Sequence, residues 1–127
     1  MKPNRIRALA YGLGGLGVVL GAFGAHGLKF ILTTELLEVW QTAVFYQFVH
    51  VFLLIALAYG DNSTLSRLAV WSAVIGIVLF CGSLYLYCLL GFQSLGMITP
   101  LGGLLFIVAW LLAAMDAWRK ANANQVV

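Results

Sequence analysis

Three stretches of this chain contain no Asp, Glu, Lys or Arg: Ala8 to Leu28, Val39 to Gly60 and Leu68 to Met115, which are 21, 22 and 48 residues long. A bilayer core of about 30 Å is crossed by roughly 20 helical residues, so each of the first two stretches makes one crossing. The third would be ~72 Å long as one helix at 1.5 Å per residue and must turn back. The reversal falls in GFQSLGMITP, where Gly91, Gln93, Ser94 and Gly96 supply turn chemistry. Thr99 and Pro100 then read as an N-cap and a first helical position. The expected fold is all-α, a four-span transmembrane helical bundle. It forms a single membrane domain over residues 1–127, with spans near 6–27, 36–60, 67–90 and 99–118.

Composition agrees with lipid as the surrounding solvent. Hydrophobic residues make up 63% of the chain and charged residues 9%, against roughly 25% charged in a soluble domain. The net charge of +3 does not point to nucleic acid, because the basic residues sit in short flanks between spans. With four spans, Lys2, Arg5, Arg7, Arg67, Arg119 and Lys120 fall on one side and only Lys29 on the other. The positive-inside rule then puts both termini in the cytoplasm. Trp40 with Tyr59, and Trp71 with Tyr87, are placed to act as interfacial belts. MKPNRIR before an apolar run resembles a secretory leader, but the run is longer than a leader core and its removal would leave an odd number of spans. Asn62-Ser63-Thr64 is formally a glycosylation acceptor, on the side expected to be cytoplasmic.

Residues 12 to 17, GLGGLG, satisfy the pattern GxGxxG of dinucleotide-binding loops. That chemistry needs a buried strand before the loop and a soluble helix after it, and here only a basic tail and an apolar lead-in precede it. At 100° per residue, Ala10, Gly14, Gly17, Gly21 and Gly24 form one stripe, with Leu13, Leu16, Leu20 and Phe23 off it. This is the small-xxx-small pattern that lets two membrane helices approach closely. Weaker stripes are Ser72, Gly76 and Ser83 on the third span, and Gly102, Ala109, Ala113 and Asp116 on the fourth. The sequence leaves open whether these contacts lie within one chain or between two.

Polar side chains inside spans are costly in lipid and are therefore paired or functional. On the second span Thr42, Tyr46, Gln47 and His50 share a broad face. His50 lies roughly 15 Å below Trp40 by helical rise, near mid-membrane. Ser83 on the third span reaches a comparable depth, with Tyr85 above it. These six form a candidate polar cluster, and His26, Glu35, Glu38 and Thr99 stand at its outer mouth. The cluster fits either a set of interhelical hydrogen bonds or a polar pathway in which His50 titrates. A metal site is disfavoured because His26 and His50 lie at opposite depths, and no cofactor motif is present. Cys81 and Cys88 are seven residues apart on one helix, ~10 Å by rise, and read as apolar fillers.

Four segments, GAFGAHGL at 21–28, WQTAVFYQFVH at 40–50, LFCGSLY at 79–85 and ITPLGGLLFIVAW at 98–110, occur in the order of the signatures of a known family. The chain resembles the YgdD/YwdK-like small membrane proteins, catalogued as domain of unknown function 423. It departs from their pattern at Cys81, where a small residue such as Ser is expected, and at Ala109, where Gly is expected. The resemblance implies a four-span inner-membrane protein without an established activity, and it assigns no catalytic, cofactor or metal residues. The chain also lacks HExxH, GxSxG and paired intramembrane carboxylates. The expectation is a non-catalytic membrane component, accessory or lipid-interacting. Permeation of a small solute or ion past His50 is the alternative. Its partners are the lipid bilayer and either further copies of itself or another membrane protein.

Overall fold

The computed structural model describes residues 1–125, and those residues are helices joined by short turns. α1 spans Pro3–His26, with proline in its first turn where the missing N–H is harmless. A single 3₁₀ turn, Leu28–Phe30, leads to α2, Thr34–Tyr59. The Thr33 hydroxyl caps α2 by accepting from Leu36 N–H at 3.2 Å. α3, Thr64–Gly76, is capped in the same way by Ser63, which accepts from Ser66 N–H at 3.0 Å. It continues without a break through a π-helical stretch, Ile77–Gly82, into α4, Ser83–Leu90. Gly91 then adopts φ 73°, the left-handed conformation that ends a helix and that only glycine takes readily. A 3₁₀ turn over Gln93–Met97 completes the reversal into α5, Thr99–Gln125.

Thr99 is not the cap of α5. The carbonyl of Ile98 already accepts from Leu101 and Gly102, so Ile98 opens the helix, and the Thr99 hydroxyl is free to bond elsewhere. α5 also runs past the expected end near residue 118, to Gln125.

Four helical segments are long and apolar enough to cross a membrane: Pro3–Phe30, Thr34–Tyr59, Thr64–Leu90 and Gln93–Gln125. Their burial is unequal, at 39% and 33% of residues in the apolar windows of the second and third and 17% in the first and fourth. The two inner spans therefore form the core and the outer two lean on them. α1 packs chiefly on α2, and α5 chiefly on α3 and the π stretch. The main core joins Ala10, Ala43, Leu54, Ala73, Cys81 and Ala109, among others. Val18, Val19, Phe52, Leu104 and Ile107 point outward and are exposed, as lipid-facing side chains should be.

The start of α1, the turn before α3 and the last turns of α5 lie at one end of the bundle. Lys120 pairs with Asp116 at 2.6 Å and with Asp61 at 3.7 Å. The Ser63 hydroxyl donates to Asp116 at 2.5 Å. At the same end the Arg7 guanidinium sits 4.8 Å from the centre of the Tyr59 ring, whose hydroxyl is 3.2 Å from that of Tyr11.

Candidate functional site

The glycine stripe of α1 packs within the chain, against α2 running antiparallel to it. A Cβ built at Gly14 would touch Val51, one at Gly21 would touch Val44, each at 3.5 Å, and both would be tolerated. The other two stripe glycines leave no such room. A Cβ at Gly17 would come within 2.9 Å of Phe48 and 3.3 Å of Gln47 Nε2, and one at Gly24 within 2.6 Å of the Trp40 indole. Gly17 and Gly24 each stand one helical turn beyond a main-chain carbonyl, those of Leu13 and Leu20. The Gln47 amide donates to Leu13 O at 2.7 Å, and the Trp40 indole N–H donates to Leu20 O at 2.8 Å. Each glycine removes the side chain that would otherwise shield the carbonyl. The same device thus occurs twice, seven residues apart on both helices.

This arrangement corrects the place of Trp40. It is 1% exposed and packs against Tyr85, with ring centres 4.7 Å apart, rather than standing in an interfacial belt.

Gln47 is 2% exposed and joins three helices. While its Nε2 holds α1, its Oε1 accepts from the Tyr85 hydroxyl on α4 at 2.7 Å. His50, also 2% exposed, faces the other way. Its Nδ1 lies 2.7 Å from the carbonyl of Tyr46 on its own helix, and its Nε2 accepts from the Trp110 indole N–H on α5 at 3.1 Å. With Nε2 as acceptor, Nδ1 carries the proton, so this pattern is that of the neutral imidazole. The ring lies flat on Phe106, with centres 3.5 Å apart at 10°.

Of the other members of the expected cluster, Tyr85 and Tyr46 stay with these two, while Ser83 and Thr42 separate from them. Ser83 bonds Thr99 at 2.6 Å and Phe80 O at 3.0 Å, so it neighbours neither Gln47 nor His50 by hydrogen bond. Thr42 is exposed and its hydroxyl donates to Glu38 O within α2. It is not part of a shared site. Tyr46 contributes its carbonyl to His50, and its ring packs on Phe80 and Phe106. Of the expected outer mouth, Thr99 is joined to the cluster through Ser83. His26, Glu35 and Glu38 are exposed and make no side-chain hydrogen bond or ion pair with Thr99 or one another among the described residues.

Ser83 parts from the Gly76 stripe because of the π stretch. A turn closed by i→i+5 bonds holds about one residue more than an α turn, so the downstream face is rotated by about 100°. The same stretch meets α5 at Gly102, where a built Cβ would fall 2.4 Å from Phe80 N and 2.8 Å from its Cα. Gly76 faces the Phe106 ring almost as closely, at 2.6 Å. Backbone contact thus fixes the third span on the fourth.

A cavity of about 680 Å³ lies between α2 and α5, walled by Tyr46, His50, Phe80, Phe106 and Trp110. Its rim includes exposed Leu104 and Ile107, so it opens toward lipid. No chain of polar side chains connects His50 with either end of the bundle among the described residues. Cys81 and Cys88 are both buried as free thiols, and Cys88 Sγ lies 3.3 Å from Leu36 O.

Three partners lie outside the expected set: Trp110, and the main-chain carbonyls of Leu13 and Leu20. Trp110 has a depth signal in the sequence, since 11 residues after Thr99 is ~16 Å into the span by helical rise. That is too deep for an indole anchored among headgroups. The carbonyls have no side-chain signal of their own and are marked only by the glycine four positions on.

Comparison with known proteins reaches most of the chain. The family described as Protein of unknown function (DUF423) matches residues 20–103. The chain is 42% identical to the UPF0382 membrane protein YwdK of Bacillus subtilis over 108 residues, 80% of this chain and 86% of that protein. It is 41% identical to the UPF0382 membrane protein SH2409 of Staphylococcus haemolyticus over 106 residues, covering 82% and 87% of the two. A UPF0382 membrane protein of Haemophilus influenzae is 38% identical over 108 residues, covering 83% and 86%. No solved structure matches.

Proposed function

Because the chain belongs to the DUF423 family, whose relatives bear the name UPF0382 membrane protein, we propose that it is a non-catalytic, lipid-interacting component of the cytoplasmic membrane with both termini in the cytoplasm. One observation carries this reading. The two most fully buried polar side chains, Gln47 and His50, spend both ends of the amide and both ring nitrogens on partners inside the bundle. Interhelical bonds of this kind contribute about 0.6 to 2 kcal/mol each in a membrane. A second proton on His50 would set an N–H against the Trp110 N–H, so a relay would first have to break that bond. Charge supports this sidedness: the end that holds the start of α1 and the last turns of α5 also holds six of the seven basic residues.

The competing function, passage of a solute or ion past His50, makes a different demand on the same residue. Thermal stability in detergent and flux in proteoliposomes, measured on one His50→Ala preparation, separate the two. A loss of stability, with no flux by the wild type across a broad panel of ions and small solutes, is the expected result. Wild-type flux that His50→Ala abolishes in a still folded bundle would overturn the proposal.

A further inference from the structure

Charge is divided unevenly between the ends of the bundle. One end carries Lys2, Arg5, Arg7, Arg67, Arg119 and Lys120 with Asp61 and Asp116, and the other carries Lys29 with Glu35 and Glu38. Both acids of the basic end are already engaged, through Lys120 and Ser63. Arg67 has no such partner: it is exposed and forms no ion pair among the described residues. It lines a cleft of about 260 Å³ with Met1, Thr64, Leu68 and Trp71. Leu68 and Trp71 are each 49% exposed and follow Arg67 into the span, so the cleft runs from the polar end of the bundle onto a lipid-facing surface. Its polar side chains are a guanidinium, a hydroxyl and an indole N–H, with no anion among them.

We propose that this cleft seats the headgroup phosphate of an anionic phospholipid, with the Arg67 guanidinium on the phosphate oxygens and the acyl chains over Leu68 and Trp71. The inference rests on the lipid-interacting reading above and is independent of which side the termini occupy. A guanidinium meets phosphate through two parallel N–H bonds, and an indole is at home at headgroup depth. The surrounding excess of cations favours an anionic headgroup over a zwitterionic one, whose ammonium they would repel. A membrane lipid is the ligand rather than free phosphate, because two walls of the cleft are apolar and face the bilayer.

The test uses the full-length protein in nanodiscs of phosphatidylglycerol and phosphatidylcholine in equal amounts. The protein is re-extracted in mild detergent, and the lipids that remain bound are counted by mass spectrometry. One basic contact at the membrane surface corresponds to about fivefold in binding. The wild type should therefore retain phosphatidylglycerol over phosphatidylcholine by about fivefold or more. Arg67→Gln should cut that ratio about fivefold, Arg67→Lys should keep most of it, and Arg119→Gln on α5 should change it less than about twofold. Inorganic phosphate added at constant ionic strength should displace nothing. Equal retention of the two lipids by the wild type, equal losses in Arg67→Gln and Arg119→Gln, or displacement by phosphate would each overturn the proposal.

A second readout does not depend on position 67. Chain-brominated phosphatidylglycerol should quench the protein's tryptophan fluorescence more than brominated phosphatidylcholine does, and Trp71→Phe should remove the difference. Persistence of that difference without Trp71 refutes the site. Wild-type flux would defeat the function proposed above while leaving these lipid ratios unchanged, so the two failures are distinguishable.

Discussion

Gly102 and Gly103 are neighbours on α5, and alanine at the two positions should have opposite effects. A Cβ on Gly102 would lie 2.4 Å from the amide nitrogen of Phe80 and 2.8 Å from its Cα. Non-bonded atoms rest about 3.5 to 4 Å apart, so the third and fourth spans would have to part by about 1 Å. Overfilling a packed contact costs about 1 to 3 kcal/mol, and the atoms struck here are main chain, which cannot swing aside. The upper end of that range applies. Replacing glycine by alanine in a helix returns about 1 kcal/mol, leaving Gly102→Ala destabilised by about 2 kcal/mol. On Gly103 the nearest atoms to a Cβ are those of the Phe80 ring, at 3.8 Å, an ordinary contact. Only the helix propensity gain remains there, up to ~1 kcal/mol. The two variants should therefore differ by about 2 to 3 kcal/mol, roughly 30- to 150-fold in the ratio of folded to unfolded protein. Unfolding by increasing SDS fraction in mixed micelles, followed by near-UV circular dichroism, measures that ratio. Wild-type stability in Gly102→Ala, or equal shifts in both variants, would refute the close backbone contact.

Tyr85→Phe strands the Gln47 oxygen in the bundle and should cost about 1 to 2 kcal/mol, whereas the double variant with Gln47→Leu should cost less than the sum of its singles; a strictly additive pair in the same SDS titration would mean that the bond does not form. Gly17→Leu should drive α1 off Phe48 and Gln47 and destabilise by more than about 2 kcal/mol, while Leu16→Ala, at a position 48% exposed, should change stability by less than about 1 kcal/mol. Equal tolerance at both positions, read from detergent melting curves, contradicts the packing assigned to that face. Reporter fusions after residues 64 and 123 should report cytoplasm and one after 94 the opposite side; the reversed pattern would defeat the assignment of sides.

The spans were legible because absence of charge over about 20 residues has one physical meaning in a chain this apolar. The α1 stripe was legible for a related reason: α1 is an uninterrupted α-helix, so a wheel drawn at 100° per residue holds along its whole length. The third span breaks that condition at Ile77–Gly82, and residues beyond it, Ser83 first, acquire neighbours that no single wheel assigns. Burial of Gln47 and His50 followed from the cost of polar groups in lipid, but their partners did not. Two of those partners are carbonyls, which every residue has, and another is an indole, a group whose usual membrane address is the interface. Trp40 misleads for the same reason, since only Gly24 opposite it makes room for a buried ring. Thr42 shows the converse: a hydroxyl that bonds back to its own helix can face lipid without a partner.

The pairing of each outer span with its neighbour in sequence bears on how the chain is made. α1 and α2 leave the ribosome in succession and already hold the two glycine-gated bonds to Leu13 and Leu20, so the first hairpin can close before the third span is synthesised. α3 through α5 form a second hairpin, locked at Gly76 and Gly102. The folded chain thus divides into two hairpins that meet along α2, with the buried amide of Gln47 at their junction. Tyr85 belongs to the second hairpin, so the Tyr85–Gln47 bond is one that neither hairpin can make by itself.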